Sequence, residues 1–123
     1  MTMMRDQTRA RHAYAVVADL TSGKDSFENF KTLTNGFAAA VLRGGLCSAI
    51  ALAQRYHDGK ASARLFDALG GAEIATIGKV DGSRFVEAVH QLQAIDYMLA
   101  TRDTVAFIIW LRRANQASGN KNS

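Results

Sequence analysis

Apolar side chains recur every three to four positions along most of this chain, which is the spacing of amphipathic helices. Over residues 5–20, Ala10, Ala13, Tyr14, Val17 and Leu20 form one apolar face, while Arg5, Arg9 and His12 fall on another. Thr21-Ser22-Gly23 stops that helix, and Asp25 or Ser26 supplies the cap of the next. The second helix carries Phe27, Phe30, Phe37 and Val41; Gly36 is its weak point, and Gly44-Gly45 closes or kinks it. A third places Leu46, Ala49, Ile50 and Ala53 inward and ends at Tyr56-His57-Asp58-Gly59. A short fourth helix over 61–69 has Leu65, Phe66 and Leu69 on its apolar side and stops at Gly70-Gly71. Residues 72–80 are ambiguous, since Ile74, Thr76 and Val80 suit a strand. Asp81-Gly82-Ser83 then caps a fifth helix with Phe85, Val86, Val89 and Leu92 on one side. The last and longest helix spans 94–117.

This pattern predicts an all-α fold, a small bundle of about five to six helices. A single helical domain fills 1–117, and the polar stretch 118–123 is a frayed tail. No repeat or low-complexity linker interrupts it. Proline is absent, whereas about 5% is usual, and its absence suits long helices joined by glycine turns. One run breaks the amphipathic rule. Val105-Ala106-Phe107-Ile108-Ile109-Trp110-Leu111 is apolar all round, so the last helix is either central to the bundle or meets another subunit there. Phe107, Ile109 and Trp110 are the candidate subunit-interface residues. Arg112-Arg113 follow at once, where cations suit a helix C-terminus.

Composition narrows the class. With 123 residues and 48% hydrophobic side chains, the chain can bury one ordinary core. At 21% charged residues it is not of disordered composition. Cys47 is the only cysteine, so no intramolecular disulfide forms and a reducing, cytoplasmic location is expected. No apolar run approaches the roughly 20 residues that span a bilayer, and the first residues lack the apolar core of a signal peptide. No membrane partner is expected.

Local motifs offer little chemistry. His12, His57 and His90 are too scattered for a metal site by spacing, so no metal or cofactor is expected. Residues 71–80 fail as a phosphate-binding loop, with Glu73 in place of the first glycine and Val80 in place of the hydroxyl. Cys47 reads as a small core-facing helix residue rather than a nucleophile. His57-Asp58 is readable as an acid–base pair or, more simply, as a solvated helix end. His12, beside Arg9 and Arg11, is either solvated or in contact with phosphate. No catalytic residue is assigned, and the chain reads as a binding protein rather than an enzyme.

The positive charge has a clearer message. Fifteen Lys and Arg against eleven Asp and Glu give a net +4 and a pI near 9.6. Ten of the fifteen are arginines, whose planar fork suits phosphate oxygens and whose face stacks on bases. They are spread along the chain, several at helix ends, where a bundle can gather them into a patch. No RNA-recognition aromatic motif, KH loop or zinc finger is present, so backbone-directed, salt-sensitive binding is expected rather than base reading.

Three blocks carry a more specific signal. The first is Arg9-Ala10-Arg11-His12-Ala13-Tyr14. The second spans 37–53, where Val41-Leu42-Arg43-Gly44-Gly45-Leu46 precedes Ser48-Ala49-Ile50-Ala51-Leu52. The third is Tyr97, Thr101, Asp103, Trp110-Leu111-Arg112-Arg113 and Ala114. In these blocks the chain resembles the small subunit of the Cmr-type, type III-B CRISPR effector complexes, departing from it where Asp103 replaces a usual glutamate and Arg43 a frequent asparagine. The resemblance implies a small all-helical, non-catalytic subunit that stacks in several copies as a minor filament beside the crRNA-bearing backbone subunits. It also implies that such subunits line the channel where target RNA pairs with crRNA, cleavage belonging to the backbone and signalling to the large subunit. On that reading the partners are crRNA and target RNA, the backbone and large subunits, and copies of itself. The RNA-facing candidates are Arg9, Arg43, Arg112 and Arg113, with Arg11 and Arg55 behind them. The alternatives are a small helical subunit of another type III effector, a basic helical nucleic-acid-binding regulator, or an enzyme with a site assembled from distant residues.

Overall fold

Each apolar stripe in the sequence becomes the buried side of a helix. A computed structural model describes residues 2–23 and 27–121. Among these lie six helices: α1 (Thr2–Gly23), α2 (Phe27–Gly44), α3 (Leu46–Gln54), α4 (Gly59–Gly71), α5 (Gly82–Gln91) and α6 (Ala94–Lys121). The fold is an all-α bundle. One continuous core draws side chains from all six, centred on Phe30, Phe85, Phe107, Leu46, Ile50 and Leu65. Asp25 and Ser26, expected to cap α2, lie outside the described residues.

In α1 the inward face is Ala13, Val17 and Leu20. Tyr14, expected beside them, is exposed, because one step from Ala13 turns it about 100° around the helix and out of the seam. Gly36 sits on the outer side of α2 and does not interrupt it. The break comes at Gly45, whose φ of 92° and ψ of 173° are open essentially to glycine alone. Its N–H closes on the Val41 carbonyl at 2.9 Å and its own carbonyl accepts from Ala49 at 3.1 Å, so a single residue joins α2 to α3. Asp58 caps α4, accepting from Lys60 N–H at 3.0 Å. Asp81 caps α5, accepting from Arg84 N–H at 2.9 Å.

Residues 72–80 do not form a strand. Val80 N–H bonds the Gly70 carbonyl at 2.9 Å, pinning the two ends of the segment together, and a Cβ at Gly70 would collide with the Val80 carbonyl oxygen. The chain must therefore double back within a few residues. It does so through Ile77 and Gly78 N–H bonds to the Ile74 carbonyl, with Glu73 (φ 54°), Thr76 (φ 70°) and Gly78 (φ 82°) in left-handed backbone. Ile74 plugs the loop into the core.

Helix α6 packs against both α1 and α2, which accounts for its apolar run. Phe107, Ile108 and Leu111 are buried, Val105, Ala106 and Trp110 lie at the flanks, and Ile109 points outward. The helix continues past position 117 to Lys121. Contacts of α1 with α6 rise together in number, Arg9 to Asp103 and His12 to Phe107, so these helices run parallel. Contacts of α2 with α6 run oppositely, from Gly45 near Tyr97 to Asn35 at Arg112.

Candidate nucleic-acid interface

The fold divides the arginines into those committed to carboxylates and those turned outward. Arg9 belongs to the first group. Its side chain is 15% exposed and pairs with Asp103 and with Asp6, the latter at 3.1 Å. Arg5 reaches the same Asp103 oxygen at 3.1 Å, while the other oxygen of Asp103 accepts Ala75 N–H at 2.7 Å. Asp103, 7% exposed, thus ties α1 and the 72–80 loop to α6. A pocket of about 280 Å³ opens here, lined by Arg5, Thr8, Arg9, Ala72, Glu73 and Asp103. Two guanidiniums and two carboxylates, those of Asp103 and Glu73, line it, so it carries no net excess of positive charge. Arg64 pairs with Asp19 at 3.0 Å.

Arg11, Arg43, Arg55, Arg112 and Arg113 are exposed and, among the described residues, make no ion pair. Arg43 lies in the last turn of α2 and Arg55 just beyond the far end of α3, whose nine residues hold them about 13 Å apart along the axis. Arg11 faces out from α1. Arg112 and Arg113, consecutive on α6, are both held in place by uncharged neighbours. Arg112 Nε donates to Asn35 Oδ1 at 3.1 Å, and the Arg113 guanidinium lies 4.8 Å from the centre of the Trp110 ring. Such a cation–π contact orients an arginine without neutralising it.

Two residues here were not singled out by sequence reasoning. Asn35 gives no local signal, since it meets Arg112 across 77 positions. Arg102 was legible, because positions 102, 109 and 113 share a helical stripe, and Arg102, Ile109 and Arg113 are all exposed. With Ile95, Met98 and Leu99, also exposed, they give α6 an outer face of apolar groups and arginines.

The remaining candidates have structural partners. His12 Nε2 donates to the Ala68 carbonyl at 3.0 Å, and its ring stacks on Phe107 at 5.4 Å. His57 lies against Tyr56, and Asp58 receives Asn29 Nδ2 at 2.9 Å besides capping α4. Cys47 is half-buried against the core. Phe107, expected at a subunit contact, is fully buried within the protein and has no surface to offer; Ile109 is exposed and Trp110 is half-covered. Among the described residues no cluster of three His, Cys, Asp or Glu is placed to hold a metal, and no helix is long and apolar enough to cross a membrane. Helix α3, which a helix-turn-helix regulator would insert into DNA, is mostly alanine and leucine.

The three sequence blocks meet in space. Block one joins block three where Arg9 pairs with Asp103. Block two joins block three where Cys47 N–H donates to the Tyr97 hydroxyl at 2.9 Å, and that hydroxyl sits over Gly45, 3.1 Å from where a Cβ would lie. Comparison with known proteins gives the same picture. No curated protein matches the chain in sequence. A family model described as CRISPR-associated protein (Cas_Cmr5) matches residues 5–118. Among solved structures, a CRISPR-associated Cmr5 family protein from Thermus thermophilus is similar, with a TM-score of 0.79 and 25% identity over 92% of this chain and 96% of that one. With nearly the whole chain matched, and its diagnostic blocks doing the joining of α1, α3 and α6, the protein belongs to the Cmr5 family, a small subunit of Cmr-type (type III-B) CRISPR complexes.

Proposed function

We propose that this small subunit has no catalytic step of its own, stacks in several copies beside the crRNA-bearing backbone subunits, and binds the crRNA–target RNA region through arginines. The observation that carries the RNA contact is the pair Arg112 and Arg113, positioned by Asn35 and Trp110 and opposed by no carboxylate among the described residues. Arg43, at the C-terminal end of α2, and Arg11 and Arg55 add exposed charge on other faces. Arg9 enters this reading only as the anchor of α1 to Asp103. Contacts between copies and with the other subunits fit the apolar outer face of α6, where Ile95 is 74% and Met98 63% exposed; side chains this exposed are the ones an oligomer covers. Binding of this kind is directed at phosphates and falls steeply with salt.

The test is purification of the tagged protein from its native cells at low salt, with sequencing of bound RNA. Recovery of a large assembly containing short, repeat-derived RNA is expected. Recovery of the bare 13.3 kDa chain free of RNA would overturn the proposal and return the regulator and the enzyme to consideration.

A further inference from the structure

We infer that Trp110 and the Arg113 guanidinium lying over it form a stacking site for an unpaired RNA base. This rests on the RNA-binding reading and narrows its ligand to single-stranded RNA at this end of α6. Trp110 is half-buried, its indole packed on the core on one side. The Arg113 guanidinium covers the ring from the other side, 4.8 Å from its centre. Arg113 is itself exposed, so the arrangement runs from core to indole to guanidinium to solvent. A nucleobase is a planar π-system, and the outer face of a held guanidinium is a platform for one.

Arg112, the preceding residue on α6 but about 100° around the helix from Arg113, adds phosphate-binding capacity at the same turn. Arg112 gives its Nε to Asn35 Oδ1, which leaves both of its terminal amino groups for a phosphate fork. Because that oxygen of Asn35 is the acceptor, its amide nitrogen remains as a donor on the exposed surface. Among the described residues neither Arg112 nor Arg113 makes an ion pair, unlike Arg5 and Arg9, which are both paired with Asp103. A base inside a duplex is already stacked on both faces and reaches Arg112 and Arg113 through phosphate alone. An unpaired base gains the stack as well. The site therefore discriminates by strandedness, and it needs the plane of Arg113 as much as its charge.

Trp110 is the only tryptophan in the chain, so its fluorescence reports this site alone. The intact protein is titrated with short oligoadenylate and, separately, with an RNA duplex of the same length, at one fixed low salt concentration. Single strands are expected to quench Trp110 and the duplex to leave it unchanged. Arg113→Lys, which keeps the charge and removes the plane, is expected to weaken single-strand binding about fivefold or more, to weaken duplex binding distinctly less, and to leave the circular dichroism spectrum intact. If Arg113→Lys leaves single-strand affinity unchanged, or lowers both affinities equally, the stacking site is wrong while the RNA-binding reading stands. If neither RNA binds, both fall. A change in Trp110 emission on concentrating the protein without RNA, and none on adding RNA, overturns the site in favour of a second copy of the chain.

Discussion

The Tyr97 hydroxyl accepts the backbone N–H of Cys47 at 2.9 Å, so a side chain at the start of α6 supplies the N-terminal cap that α3 lacks locally. Gly45, the residue that would cap α3, has no side chain to do so and adopts a backbone conformation closed to other residues. The hydroxyl then occupies the space above it.

Tyr97→Phe removes the acceptor and keeps the ring. It is expected to destabilise the fold by about 1 kcal/mol, the range of a lost helix cap. Gly45→Ala is expected to cost more, about 1–3 kcal/mol from the backbone conformation, with the Tyr97 hydroxyl displaced besides. Urea denaturation of both variants checks the order; equal stability of Gly45→Ala and wild type contradicts the assignment of the α2–α3 joint.

Asp103 is expected to be the most sensitive charged position in the chain. Asp103→Ala leaves the 15%-exposed Arg9 side chain without its buried partner and releases Ala75 N–H, for a loss of about 3–5 kcal/mol. Arg5→Ala should cost less than about 1 kcal/mol, since that side chain is 60% exposed. Thermal melts of the two variants side by side make the comparison.

Arg112→Ala/Arg113→Ala is expected to weaken binding to RNA duplex and to reduce the slope of log affinity against log salt by about one to two units. Arg9→Met, by contrast, should lower the melting temperature and leave that slope alone. A slope that moves with Arg9 and not with Arg112/Arg113 would reverse the assignment of the two ends of the bundle.

Thr104 is fully buried and its hydroxyl has no hydrogen-bond partner among the described residues. Thr104→Val keeps the shape and removes the unpaired group, so a gain of about 1 kcal/mol is expected. A loss in chemical denaturation would mean that the hydroxyl is satisfied in solution.

Asp81 gives the fold an acid limb. The Arg84 backbone N–H, then the Ser83 hydroxyl, hold its carboxyl below the usual carboxylate range. A group depressed on folding contributes stability that is present above its unfolded pKa and lost as pH falls through its folded one. The melting temperatures of wild type and Asp81→Ala should therefore differ at neutral pH and converge below the ordinary carboxylate range. A gap that stays constant with pH would show that the cap acts without its charge.

Much of the fold was legible from spacing alone, because a bundle helix shows its buried stripe in sequence. Phe27, Phe30, Phe37 and Val41, or Leu65, Phe66 and Leu69, could be read directly onto the core. What spacing misses is contact between distant positions. Arg9 looks like an RNA-facing cation until Asp103, 94 positions away, folds against it. Phe107, Ile109 and Trp110 read alike in an unbroken apolar run, and only the placement of α1 and α2 decides that Phe107 goes in and Ile109 out. The strand-like pattern of 72–80 misled because no partner strand exists for it among the described residues. The basic balance of the chain was evident in composition, but which arginines are ion-paired could come only from the fold.

The parallel pairing of α1 with α6 also bears on how the chain is made. Helix α1 meets α4 through His12 and Asp19, but its main companion is α6, so the core cannot close around Ala13, Val17 and Leu20 until Phe107 and Leu111 have left the ribosome. Helical bundles usually fold fast because their neighbours are close in sequence. This one defers the seam between α1 and α6 until α6 is made, leaving α2 to α5 to assemble first and α1 only partly covered until then.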